Sequence, residues 1–175
     1  MRKKTKNQGF EYGRFDFIIT NPPFGSSVRQ TEQAYMKNYS FSLKEADWLN
    51  AKTRESLRDN QSTEVLFIEQ CYNFLTEGGY LAIVVPDGIL TNSSLQYVRD
   101  GIEDKFRIVA VVSMPQTAFA ATGAGVKSSV LFLKKHTLEA TEAIKDLKLE
   151  IQDTLKASYN YEKELEKILA EKAKH

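Results

Sequence analysis

Four consecutive residues in this chain are of types that can do chemistry together: Asn21-Pro22-Pro23-Phe24. The Asn21 side-chain oxygen and the Pro22 carbonyl are two hydrogen-bond acceptors on neighbouring residues. An exocyclic amine on a nucleobase or an amide is a poor nucleophile, because its lone pair is delocalised. Accepting two hydrogen bonds from such an NH2 group orients it and favours the positive charge that develops on nitrogen as it attacks. That stabilisation is aimed at the transition state. Phe24 adds a flat face on which a planar substrate can stack. The bland alternative is a proline turn that closes a strand, with a phenylalanine as plug. The residues just upstream favour the chemical reading.

Phe15 to Thr20 reads Phe-Asp-Phe-Ile-Ile-Thr, a short apolar run rich in aromatic and β-branched residues. This pattern predicts a strand buried on both faces, as in a parallel sheet. Pro22 and Pro23 end it, since neither donates a backbone N–H and both have a fixed φ. Asn21, preceding a proline, is biased to an extended conformation. A stiff corner at the carboxyl end of a strand is where open α/β sheets place their ligands.

The remaining elements follow in order. Residues 1–14 form a basic leader with Arg2, Lys3, Lys4, Lys6 and Arg14. It is expected to be a solvated tail, with a phosphate-contacting arm as the minority reading. Residues 25–62 are polar and weakly periodic, and a connection this long is either functional or mobile. Residues 28–62 are therefore either a flap over the corner or an insertion with no role, and residues 44–57 have weak helical character. Ser62 or Thr63 is expected to cap a helix running to about Leu75, with Val65, Ile68, Tyr72 and Leu75 on one face beside Leu66 and Cys71. Gly78-Gly79 would end it. Residues 80–85 form a second apolar strand, closed by Pro86-Asp87-Gly88, which completes a βαβ unit. Ser93 or Ser94 would cap a helix over residues 95–104 with Tyr97, Val98 and Ile102 inward. Strands at residues 107–114 and 128–134, with no helix between them, are expected to pair as an antiparallel hairpin. Gly123-Ala124-Gly125 precedes a strand and opens no helix, so it is not a nucleotide-binding loop. Residues 137–175 are charged and helical. Ile144, Leu147, Ile151, Thr154, Ser158, Tyr161, Leu165 and Ile168 follow a 3-4 spacing, with Leu155 and Leu169 beside it. A helix folding back on the domain and a coiled coil with a partner both fit that spacing.

Composition sets the bounds. The chain has 175 residues, 42% hydrophobic and 27% charged, which suits one domain with a core. A formal net charge of +1 gives no global basic signature for nucleic acid. The single Cys71 excludes an internal disulfide. With no signal peptide or long apolar span, a cytoplasmic protein with no membrane association is the default expectation. No metal-ligand spacing occurs.

The stretch from Asp16 to Phe24 resembles the Asn-Pro-Pro-Phe/Tyr motif of amino-methyltransferases that use S-adenosylmethionine. DNA adenine, ribosomal-RNA guanine and protein glutamine methyltransferases share it, so it points to the reaction type ahead of the substrate. Further stretches narrow the family: Glu64-Val65-Leu66-Phe67-Ile68-Glu69, then residues 77–90 with Val85-Pro86-Asp87-Gly88, then Ala110-Val111-Val112-Ser113-Met114-Pro115, Phe119-Ala120-Ala121-Thr122-Gly123, and Val126-Lys127-Ser128-Ser129 leading to Lys135. Their order and spacing resemble the modification subunit of type I restriction-modification systems, an N6-adenine DNA methyltransferase.

That resemblance implies a Rossmann-like S-adenosylmethionine-dependent methyltransferase fold of class α/β. The part covered is the second half of the sheet, ending in an antiparallel hairpin. A partial catalytic domain over residues 15–136 is then followed by the charged helical segment. It implies methyl transfer from S-adenosylmethionine to a flipped adenine of double-stranded DNA, with no covalent enzyme intermediate. Asn21, Pro22, Pro23 and Phe24 match the catalytic motif. Phe24 and Phe119 match the aromatics that contact the target base. A DNA-specificity subunit and a restriction subunit are the implied partners.

One departure is large. The family's glycine-rich cofactor turn and the acidic residues that hold the ribose lie ahead of the catalytic motif, and residues 1–14 have no room for them. The sequence therefore reads as the second half of a methyltransferase domain, inactive alone and prone to self-association through an exposed strand edge. Three readings compete: a DNA adenine methyltransferase half, an RNA guanine or protein glutamine methyltransferase, and a non-catalytic interaction fragment. Cytosine C5 chemistry needs a Pro-Cys nucleophile, which Cys71 is not. Cytosine N4 chemistry stays open on the corner alone.

Overall fold

The computed structural model describes residues 11–29, 33–46, 48, 54–119 and 126–173. The basic cluster Arg2, Lys3, Lys4 and Lys6 and the Gly123-Ala124-Gly125 stretch lie outside the described residues. At the end of the leader, Gly13 N–H donates to Asn73 O and Arg14 N–H to Phe74 O, both at 2.9 Å.

In chain order the elements are β1 (Phe15–Thr20), β2 (Ser27–Arg29), α1 (Gln33–Met36), β3 (Leu43–Lys44), β4 (Ser56–Leu57), β5 (Asn60–Ser62), α2 (Thr63–Phe74), β6 (Leu75–Pro86), α3 (Gly88–Thr91), α4 (Gln96–Lys105), β7 (Phe106–Ser113), β8 (Ser128–Lys135), α5 (Leu138–Tyr159) and α6 (Tyr161–Lys172). The main sheet has the order β1-β6-β8-β7. β1 and β6 are parallel and joined through α2, which is the expected βαβ unit. β8 runs antiparallel to both β6 and β7, so the expected hairpin forms and its second strand inserts between β6 and β7.

The covered face of this sheet explains its stability. Alternate residues Leu81, Ile83 and Val85 of β6 and Leu131 and Leu133 of β8 point to one side. There they meet Val65, Ile68 and Cys71 of α2, Ile89 of α3, and Val98 and Ile102 of α4. These side chains form one buried cluster, with Ile18 and Tyr97 packed against it. The stripe read on α2 and the inward residues read on α4 are thus core residues. A one-residue slip of β6 would turn the whole set outward, so burial fixes the register.

The opposite face corrects one expectation. β1 was expected to be buried on both sides, yet Phe17 is 70% exposed and Ile19 86% exposed. Phe17 stacks on Tyr80 at 5.6 Å between ring centroids, and Phe132 lies on the same side. β1 is an edge strand, as the family resemblance implied, and among the described residues no element covers this face. The apolar run is still that of a two-sided strand. Only one side has its partner here.

Helix-end signals depart from the reading in two places. α2 stops at Phe74, within a residue of the expected end, but what ends it is Leu75, already extended and paired with Phe15, and not Gly78-Gly79. The ladder then jumps to Phe17↔Tyr80, so residues 76–79 loop out, with Gly78 at φ +73°. Lys135 caps α2 from a distance: its ammonium donates to Tyr72 O at 2.7 Å and Leu75 O at 2.8 Å. Burial pulls the Lys135 pKa down, with Glu77 opposing. Ser93 and Ser94 do not cap α4. Asn92 accepts from Ser94 N–H, and a 3-10 turn over Ser93–Leu95 leads into the helix.

The C-terminal segment is two helices, broken at Asn160, which adopts a left-handed conformation with φ 50°. α5 folds back on the domain: Lys148 pairs with Asp104 of α4, and Leu138 N–H donates to Glu77 Oε2 at 3.0 Å. The expected apolar seam is not the buried one. Leu147, Ile151 and Ile168 are exposed, whereas Ile144, Leu155, Leu165 and Leu169 are half-buried. Tyr161 lies outside the described side chains.

Cys71 is buried in the core, and burial pushes its thiol pKa up to about 11. The thiolate is the reactive form, so in the folded chain Cys71 should react with iodoacetamide about a hundredfold more slowly than a free cysteine at pH 8. Mass spectrometry of the alkylated protein, with and without urea, checks this.

Candidate active site

Strand direction brings the chemical residues to one edge. β1, β6 and β7 all end there and β8 starts there, as the pairs Thr20↔Ile83, Pro86↔Ser128 and Ser113↔Ser129 require. Asn21-Pro22-Pro23-Phe24, Pro86-Asp87-Gly88, Met114-Pro115 and Lys127-Ser128 therefore line the carboxyl edge of the sheet. Asn21 is exposed, Pro22 buried, Pro23 exposed and Phe24 half-buried. The corner thus offers the Asn21 amide to the outside while Pro22 anchors it. Gly25 follows at φ +80°, a turn that L side chains rarely adopt.

Phe119 stands on the same edge, half-buried, in the loop that leaves β7. β7 is three strand spacings from β1, about 14 Å in a flat sheet. The fold therefore places Phe119 and Asn21 along one rim, on opposite sides of β6 and β8.

A polar cluster between them escaped the sequence reading. Asp87 Oδ1 accepts from Ser129 Oγ at 2.8 Å, and Asp87 Oδ2 pairs with Lys127 at 3.3 Å. Asp87 N–H donates to Lys127 O at 2.9 Å. The Asp87 carbonyl accepts from Thr91 N–H and Thr91 Oγ1, each at 3.0 Å. One residue thereby joins the end of β6, the start of β8 and the start of α3. Pro86-Asp87-Gly88 and Lys127-Ser128-Ser129 both stood out in the sequence, but only the antiparallel register brings them together.

The segment after the corner is not helical over its described residues between 43 and 57. β3 and β4 pair antiparallel there, Leu43 with Leu57. Its two ends are closed against each other by β2 and β5, with Ser27 opposite Ser62 and Arg29 opposite Asn60. Its far end is held by a buried acid: Glu69 of α2, 5% exposed, accepts from Ser40 N–H at 2.7 Å and from Phe41 N–H at 2.9 Å. Gln61 Nε2 donates to the Phe41 carbonyl and to Tyr97 Oη. Phe41 itself packs against Gly101, where an added Cβ would lie 2.2 Å from its ring. The Arg58 guanidinium stacks 3.5 Å above the Tyr97 ring. The described residues of this lobe, between 26 and 62, are thus fastened at the β2–β5 neck and at Glu69.

The described residues do not by themselves hold S-adenosylmethionine. Among them no glycine-rich turn after a strand opens a helix beside β1, and no acidic side chain ends a strand on its open side. No step can be routed through the group from these residues. Also among the described residues, no cluster of three metal-ligating side chains occurs, and no helix is long and apolar enough to cross a membrane.

Comparison with known proteins follows the same lines. The "Type I restriction enzyme StySPI methylase subunit" of Salmonella potsdam is 27% identical over 124 residues, covering 70% of this chain and 19% of the relative. The EcoKI methylase subunit of Escherichia coli K12 is 27% identical over 122 residues, again 19% of its length. The chain thus spans about a fifth of the curated relatives it matches. A chain from a structural study of type I restriction-modification system assembly superposes with TM-score 0.52 at 26% identity, over 70% of this chain and 21% of that one. A class I S-adenosylmethionine-dependent methyltransferase from Listeria monocytogenes shares the fold, with TM-score 0.51 at 24% identity over 71% of this chain and 33% of that one. The N-6 DNA Methylase family model matches residues 2–173, so the chain belongs to that family.

Proposed function

We propose that these residues form the target-base side of an N6-adenine DNA methyltransferase, within a type I restriction-modification modification subunit. The observation that carries this is the exposed Asn21 amide on a proline corner at the carboxyl end of β1. It stands in a sheet shared with S-adenosylmethionine-dependent methyltransferases. Asn21 and the Pro22 carbonyl accept hydrogen bonds from the adenine amine, and Pro23 stiffens the corner behind them. Phe24 stacks on the flipped base, and Phe119 closes on it from further along the rim. S-adenosylmethionine, when bound, supplies the methyl group. The residues of this chain orient the nitrogen and favour its developing charge. Double-stranded DNA is the substrate. A DNA-specificity subunit and a restriction subunit are the partners.

The test is methyl transfer by the full-length subunit with its specificity partner. With labelled S-adenosylmethionine and unmethylated genomic DNA, label is expected in N6-methyladenine. Label in ribosomal RNA or in protein glutamine would overturn the substrate assignment.

The 175-residue chain alone is expected neither to bind S-adenosylmethionine tightly nor to methylate DNA. Titration calorimetry checks this, and micromolar binding would refute it. The exposed Phe17 and Ile19 on an edge strand also predict self-association. Sedimentation velocity should show mass rising with concentration, and a monomer across the whole range would count against it.

A further inference from the structure

The two prolines of the corner fix φ at residues 22 and 23, and Pro23 also restricts ψ at Pro22, but ψ at Pro23 is left free. Something else must set the direction in which the chain leaves Pro23, because that direction decides where the Phe24 ring lies. The residue in contact with this exit is Thr63, the first residue of α2. Its N–H donates to Ser26 O at 3.0 Å, and its hydroxyl lies 3.2 Å from Ser26 O and 3.4 Å from Pro23 O. The two carbonyls flank Phe24-Gly25 on either side. One hydroxyl donor thus lies between the peptide before Phe24 and the peptide after Ser26.

Thr63 is itself firmly placed. Val65, two residues on, is fully buried in the core. Gln61, two residues back, pairs with Val28 in the β2–β5 neck and bonds the Tyr97 hydroxyl of α4. A donor fixed on a core helix can hold a turn that its own sequence leaves loose.

We propose that Thr63 is a positioning residue for methyl transfer, acting through the Pro23 and Ser26 carbonyls to hold Phe24 under the target base. The inference rests on the base-pocket reading above. Thr63→Val keeps the shape and removes the hydroxyl, and Thr63→Ser keeps the hydroxyl.

Both variants are made in the full-length subunit and assayed on duplex DNA beside Asn21→Ala. Thr63→Val should lower kcat/KM for DNA by about five- to tenfold, the order expected for one lost hydrogen bond. KM for S-adenosylmethionine and the melting temperature should stay at wild-type values, and Thr63→Ser should restore the rate to within about twofold. Two results overturn the proposal while leaving the pocket in place. One is wild-type kinetics for Thr63→Val when Asn21→Ala is inactive. The other is a rate that falls in both Thr63 variants in step with melting temperature. Normal turnover by Asn21→Ala would remove the pocket reading itself, and this proposal with it.

Discussion

Asn21→Ala in the full-length subunit should lower turnover on duplex DNA by about 10²–10³-fold, the range seen when one group that stabilises developing charge is removed. Its amide oxygen is one of two acceptors proposed for the adenine amine. The other, the Pro22 carbonyl, is main chain and survives the substitution. Affinity for S-adenosylmethionine should change little, because the contact proposed for Asn21 is with the adenine amine. Asn21 is exposed and makes no part of the core, so the melting temperature should hold as well. The comparison to make is single-turnover methylation against calorimetric cofactor binding. Near-normal turnover would sink the role given to Asn21. Phe24→Ala belongs to the same pocket but acts on binding, where a lost stacking platform costs about 1–3 kcal/mol per base.

The second large effect is on stability. Glu69→Ala should destabilise the chain by about 2–4 kcal/mol, since hydrogen bonds to a charged acceptor contribute about 1.5–3 kcal/mol each and two backbone donors, one buried and one half-buried, lose theirs. Those donors are the N–H groups of Ser40 and Phe41. The Phe41 N–H cannot turn to water easily, because Phe41 is 3% exposed and its carbonyl is already held by Gln61. Glu69→Gln keeps one acceptor and should lose about half as much. Urea unfolding monitored by circular dichroism gives the difference directly. A loss under about 1 kcal/mol for the alanine variant would mean that the lobe is held mainly by its neck.

The proline corner at the end of β1 was legible from sequence because everything that makes it is local. An apolar run, an asparagine and two prolines define a strand end without any distant partner. The α2 stripe, the βαβ unit and the antiparallel hairpin were legible for a similar reason: side-chain periodicity and the absence of an intervening helix are properties of adjacent residues. The end of α2 near Leu75 was legible, but its cause was not: Gly78-Gly79 is a good local stop, whereas it is the extended Leu75, paired with Phe15, that closes the helix. In the C-terminal segment the 3-4 spacing allowed a helix folded back on the domain, which α5 is, but not which face packs: Ile144 and Leu155 are half-buried beside the Lys148–Asp104 pair, whereas Leu147 and Ile151 are exposed.

What only the tertiary structure decided are the long-range polar contacts. Glu69 reaches back 28 residues to Phe41, Asp87 reaches forward 42 to Ser129, and Thr63 lies 40 residues beyond Pro23. No pattern of hydrophobicity encodes such pairs, because each depends on which distant segments the fold brings side by side. The sequence by itself determined the proline corner and the strands that carry it. The packing of α2 against the lobe decided how that corner is held.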